Sequence, residues 1–84
     1  KDIKGLEGPE EAVLSKSGKV LYIVNFNSSK VLTFDANLFE KLKEEYSVGK
    51  KPIGIISAMN DTKLYVSNYG DNSVTVIKIK NKEN

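Results

Sequence analysis

Moving the chain against itself by 43 residues lays Pro9 on Pro52, Leu21 on Leu64, Tyr22 on Tyr65, Asn25 on Asn68 and Val31 on Val74. Phe26 falls on Tyr69, Thr33 on Val76 and Phe34 on Ile77, so strand-forming character survives where identity does not. Turn chemistry survives too. Gly18 lies on Asp61, and Asn27 lies on Gly70, the latter two being residue types that readily take positive φ. An internal repeat of this length constrains the fold more than any local propensity. Each unit is one supersecondary element that buries an apolar face only against a neighbour.

Each unit reads as a succession of short strands and tight turns. Residues 1–7 are mixed, with Ile3 and Leu6 on one strand that Gly5 weakens, and Gly8-Pro9 breaks the chain. Residues 11–15 form a short apolar run, read as a buried strand, and 16–19 a turn. Residues 20–25 are β-branched and aromatic, a good strand, followed by a turn at 27–29 and a third strand over 30–35. Residues 36–46 are ambiguous. Leu38, Phe39, Leu42 and Tyr46 share a helical face that Asn37 would cap, whereas Leu42, Tyr46 and Val48 share a strand face. The repeat favours a fourth, outer, solvent-exposed strand over the local helix propensity. Residues 49–52 then turn, 53–58, 63–68 and 73–80 mirror the first three strands, and 81–84 are a polar tail.

Composition excludes several classes of chemistry. At 84 residues the chain forms one small unit of marginal core size. Every basic residue is a lysine, and thirteen of them stand against eleven acidic residues for a net charge of +2. Without arginine there is no bidentate fork for phosphate or guanine, so nucleic acid is not an expected partner. There is no cysteine and no histidine, which removes disulfides, thiol nucleophiles, the usual zinc sites and histidine general-base chemistry. No apolar stretch is long enough for a membrane-spanning helix. No signal-peptide pattern is visible in the residues present.

The polar residues offer few sites. Asn25 and Asn68 end matched strands, either as ligand-facing amides or, as their recurrence favours, as structural amides that satisfy backbone. Tyr22, Tyr65 and Tyr69 would make a stacking platform, but matched strand aromatics are more readily read as core. Asn60-Asp61 and Asp71-Asn72 carry oxygens suited to calcium, against the plainer reading of Asx turns. Glu10 and Glu11 are the ligand-binding candidates. Glu11 sits where the second unit has Gly54, at the start of a strand, where a carboxylate binds a cation or serves as acid or base. Lys41, Lys43, Lys50, Lys51, Lys78, Lys80 and Lys82 alternate with Glu40, Glu44, Glu45 and Glu83 and read as a solvated outer face that protects strand edges. Asn27-Ser28-Ser29 and Asn60-Asp61-Thr62 match the glycosylation acceptor pattern in surface turns. No catalytic residue, metal site or cofactor is assigned.

The stretch VGKKPIGIISAMNDTKLYVSNYGDNSVTVIK, and more loosely GPEEAVLSKSGKVLYIVNFNSSKVLTFD, resembles the YVTN family of β-propeller repeats, found in surface-layer and lactonase-like propellers. Tyr65-Val66-Ser67-Asn68 departs from the namesake letters at one position, and Tyr22-Ile23-Val24-Asn25 occupies the same slot. The resemblance implies an all-β chain of four-stranded antiparallel blades whose first strands line a channel. Its structural repeat positions are Pro9, Tyr22, Asn25, Asn27, Pro52, Gly54, Tyr65, Asn68 and Gly70. Residues 1–7 would be an outer strand for a neighbouring blade, 8–49 one blade, and 50–84 a second blade lacking its outer strand. Closed propellers typically have at least about 4 blades. Two blades therefore imply further ones, by self-association into a ring or within a longer chain. The function implied is a non-catalytic scaffold for protein–protein or cell-surface interaction in an extracytoplasmic space: periplasmic, secreted or on the cell surface. The alternatives are a ligand-binding or lactonase-like hydrolytic propeller using Glu11, and a propeller subunit of a larger enzyme complex.

Overall fold

A computed structural model describes residues 2–79. Lys1, Lys80, Lys82, Glu83 and the predicted tail at 81–84 lie outside the described residues. The chain is all-β, as expected, and the described residues form seven strands in two antiparallel, blade-like sheets. The first sheet contains β1 (Pro9–Leu14), β2 (Val20–Asn25), β3 (Lys30–Asp35) and β4 (Lys41–Ser47), paired in chain order. The second contains β5 (Pro52–Ala58), β6 (Lys63–Asn68) and β7 (Ser73–Lys78), also in chain order. A single 3-10 turn, Tyr69–Asp71, joins β6 to β7.

Both sheets start with the same device. Pro9 pairs with Asn25 and Pro52 with Asn68, and in each case the register slips by one residue immediately afterwards. Proline has no N–H to give a ladder, so it belongs at a strand's first residue or at a bulge. The 36–46 stretch is strand from Lys41 onward. The helix is stopped before it starts, because Asp35 Oδ1 accepts the N–H groups of Asn37 and Leu38 (both 2.8 Å) and Phe39 adopts φ 61°.

Four local expectations are corrected. Residues 2–8 form no strand, because Gly5 and Gly8 at φ 81° and 73° break the extended backbone. β1 is a strand but not a buried one, because it is the edge of its sheet, and only Val13 is half-buried. β7 stops at Lys78. Positive φ falls not on Asn27 and Gly70 but on Ser29 (55°) and Asn72 (53°), themselves one repeat apart. Gly70 serves close approach instead, since a Cβ there would lie 2.9 Å from the Lys50 carbonyl oxygen.

The two sheets share one core. Tyr22, Val24 and Val31 from the first face Ile55, Leu64, Val66 and Ile77 from the second, with Tyr46 of β4 and Val48 of the connecting segment packed against them. On its far face the first sheet buries Ile23, Leu32 and Phe34 beneath Ile3 and Leu6. Thus the first sheet is covered on both faces and the second on one. Among the described residues no helix is long and apolar enough to cross a membrane.

Candidate functional site

Glu11 is committed to the junction between the sheets. Its Oε1 accepts the backbone N–H of Ile55 at 2.7 Å, joining the first strands of the two sheets. Gly54, its counterpart one repeat on, leaves the room: a Cβ at Gly54 would stand 2.9 Å from Ser67 Oγ and 3.4 Å from Glu11 Oε1. Glu10 is the residue skipped by the bulge and is exposed. The two ligand-binding candidates are therefore neighbours in sequence with separate tasks.

Both amides are buried. Asn25 and Asn68 are 1% and 2% exposed. Asn68 Nδ2 donates to Thr75 Oγ1 (2.8 Å) and to Ser73 Oγ (3.1 Å), tying the end of β6 to β7. The aromatic candidates separate. Tyr22 is buried in the shared core, whereas Tyr69 is 69% exposed on the turn after β6, so no platform forms. Both Asx turns also use their carboxylates internally. Asp61 accepts the backbone N–H of Lys16 (2.7 Å) and the hydroxyl of Ser57 (2.8 Å), and Asp71 accepts the Lys50 N–H (3.2 Å) and the Ser73 hydroxyl. Those bonds, the Ser73 hydroxyl first, hold the Asp71 carboxyl below the usual range. Among the described residues no three acidic side chains gather to hold a metal.

A cleft of about 810 Å³ is lined by Tyr22, Thr33, Leu42 and Tyr46 of the first sheet and by Lys16 and Asp61. Burial pushes both phenols above their ordinary value. For Tyr22 the neighbouring Tyr46, Asp61 and Glu44 add to this, and for Tyr46 Glu44 does. The phenols are thus held neutral, as hydrogen-bond donors rather than bases. Leu42 and Tyr46 share a strand face in the sequence, but the cleft they line also takes residues of the second unit, Asn60, Asp61 and Lys78 among them, which that face does not contain.

The remaining feature is the uncovered face of the second sheet. Ile56, Tyr65 and Val76 lie side by side across β5, β6 and β7, with Gly54, Ser67 and Val74 in the adjacent row. Ile56 is 62%, Val74 61% and Val76 50% exposed. Isolated exposed hydrophobics are ordinary, whereas a contiguous group on one sheet face marks an interaction surface.

No family model and no curated protein matches the chain. Among solved structures it is similar to a chain of hydrazine synthase from Kuenenia stuttgartiensis, with a TM-score of 0.77 at 20% identity over 87% of this chain and 27% of that one. At that identity the likeness shows the fold alone, and this chain spans about a quarter of the structure it matches.

Proposed function

We propose that the chain is a non-catalytic scaffold: two blades of a YVTN-type β-propeller whose open sheet face binds protein, in an extracytoplasmic setting. One observation carries this reading. The uncovered face of the second sheet bears Ile56, Tyr65 and Val74 where, one repeat earlier, the face by which the first sheet binds the second bears Val13, Tyr22 and Val31, with Ser67 in the place of Val24. The residues of the repeat motif are otherwise spent on structure. Glu11 and Asp61 tie the sheets together, and Asn68 ties strand to strand.

A titration with calcium and with zinc, followed by thermal unfolding, tests the reading together with a lactone-hydrolysis assay. The expected result is no metal-dependent rise in Tm and no turnover. A rise that Glu11→Gln abolishes, or turnover that it removes, would establish the hydrolytic alternative instead. The likeness to part of a larger enzyme's chain favours a second reading, a blade pair serving as a structural segment of an enzyme complex. That reading predicts the same outcome in both assays and differs in what covers the open face.

A further inference from the structure

We propose that the open face of the second sheet receives the far face of the first sheet of a second copy of this chain, head to tail. This rests on the scaffold reading and names its partner. The interface within the chain has two unlike halves. One is the face carrying Val13, Tyr22, Val31 and Tyr46; the other carries Ile55, Leu64, Val66 and Ile77, and Val48 of the connecting segment packs on the same core. Each half recurs at the opposite end of the molecule, the first exposed and the second beneath residues 2–8.

The first half recurs as Ile56, Tyr65 and Val74, each 43 residues beyond Val13, Tyr22 and Val31. Where Tyr22 and Val31 are 5% and 0% exposed, Ile56 and Val74 are 62% and 61% exposed. The second half recurs as Leu21, Ile23 and Phe34, each 43 residues before Leu64, Val66 and Ile77. Residues 2–8 dress this face as the connecting segment dresses its counterpart. Ile3 stands one repeat before Tyr46, and both pack on the respective core. The backbone anchors recur as well. Phe26 N–H donates to the Gly8 carbonyl (2.7 Å) and Asn27 N–H to that of Glu7 (3.1 Å); one repeat on, Tyr69 N–H donates to Lys51 and Gly70 N–H to Lys50 (both 2.9 Å). A chain with complementary halves at opposite ends makes a heterologous contact, which closes into a ring when the rotation allows.

Two polar links of the internal junction have no counterpart between copies. Glu11 is replaced by Gly54, and Asp61 by Gly18. The contact between copies is therefore apolar, and salt does not weaken it as it weakens exposed charge pairs.

Light scattering over a concentration series, at low and high salt, is expected to show assemblies of about two to four copies, enough for about 4–8 blades, with no loss at high salt. Ile56→Asp and Val76→Asp place charge on outward positions and are expected to return the mass to a single chain with the far-UV circular dichroism unchanged. Because the chain has no cysteine, polarity is tested with Met59→Cys and Ser17→Cys. Within the chain Lys16 Nζ reaches Asn60 Oδ1 at 3.2 Å, and the same contact between copies brings Met59 to Ser17. A disulfide is expected when the two variants are mixed and not in either alone. A single-chain mass at every concentration, assembly indifferent to both aspartates, or self-crosslinking of Met59→Cys as the main product would each overturn the proposal. None of these touches the scaffold reading, which fails instead on the metal and turnover assays.

Discussion

Tyr22 and Tyr65 occupy the same position in two sheets of the same pattern, yet one is sealed in a core and the other lies half-open on a surface. Val31 and Val74 repeat the contrast at 0% and 61% exposure. Strand and face correspond within each pair, although Val31 pairs with Val24 and Tyr46 on a central strand and Val74 pairs with Ser67 on an edge strand. What both pairs share is that another sheet packs on the face of the first member and not on that of the second. In a repeat architecture stability is a sum of unit and neighbour terms, so the cost of a substitution should track the neighbour more than the residue.

Paired truncations break or sharpen that comparison most strongly. Leu64 is fully buried between the sheets, while Leu21, one repeat earlier, is half-buried under the N-terminal segment. Leu64→Ala should cost about 2–5 kcal/mol, the range for a buried leucine, enough to unfold a small domain at moderate temperature. Leu21→Ala should cost about 1–2 kcal/mol, in line with partial burial. Val76→Ala, on the open face, should leave stability within about 0.5 kcal/mol. Urea midpoints measure all three. Equal costs for Leu64 and Leu21 would mean that the sheets are stabilised internally and not by each other.

The polar links come next. Asp61→Ala removes acceptors from the Lys16 N–H and the Ser57 hydroxyl, and Glu11→Ala removes the acceptor from the Ile55 N–H. Each should cost about 1 kcal/mol per lost bond, a net figure for exchange against water. In a domain of this size that is a fall in Tm of about 4–8 °C per kcal/mol. If these links act only between sheets, hydrogen exchange should rise at Ile55 and Lys16 in the respective variants and stay unchanged within β2 and β3.

Much of this was legible in the repeat. Pairing Pro9 with Pro52 and Asn25 with Asn68 locates strand starts and ends, and the bulge after each proline follows from its missing N–H. The repeat also outweighs helix propensity over 36–46, correctly, because β3 offers an edge that a strand there can pair with. What a one-dimensional pattern does not contain is which copy of a face finds a partner. β1 reads as buried from Ala12, Val13 and Leu14, yet Leu14 is 52% exposed because β1 is an edge strand. Glu11 reads as a channel-mouth ligand, and its hydrogen bond to Ile55 depends on a sheet-to-sheet placement 44 positions away in sequence. The left-handed residues at Ser29 and Asn72 escape notice because neither is glycine.

The phenols of the cleft give an alkaline test. Tyr22 and Tyr46 are both raised above 10.0, chiefly by burial. The unfolded chain loses these protons first, so their stabilising contribution is complete below about pH 10. It is lost as pH rises through the folded-state values. Tm should therefore fall above that pH, and Tyr22→Phe should flatten the fall. An unchanged profile would mean that the cleft is open to water in solution.

The smallest effect lies on the outer strand of the first sheet, away from the neighbour. Glu45 bridges Lys41 (2.9 Å) and Lys30 (3.2 Å), and its carboxyl is held below the usual range, mainly by the Lys41 hydrogen bond and then by that from Lys30. A carboxyl lowered in the folded state stabilises above its unfolded pKa, and the gain disappears as pH falls through the folded value. Lys30 and Glu45 lie on adjacent strands, so the pair staples β3 to β4 and contributes nothing between the sheets. The side chains are exposed, so the contribution is small and screened by salt. Glu45→Gln should slightly reduce the acid dependence of Tm at low ionic strength and leave it unaltered at high ionic strength. The same substitution should not change the response of Leu64→Ala, because the two sites share no partner and their effects add. Non-additivity between them would show that the outer strand and the shared core are coupled, and that the neighbour's influence reaches across the whole first sheet.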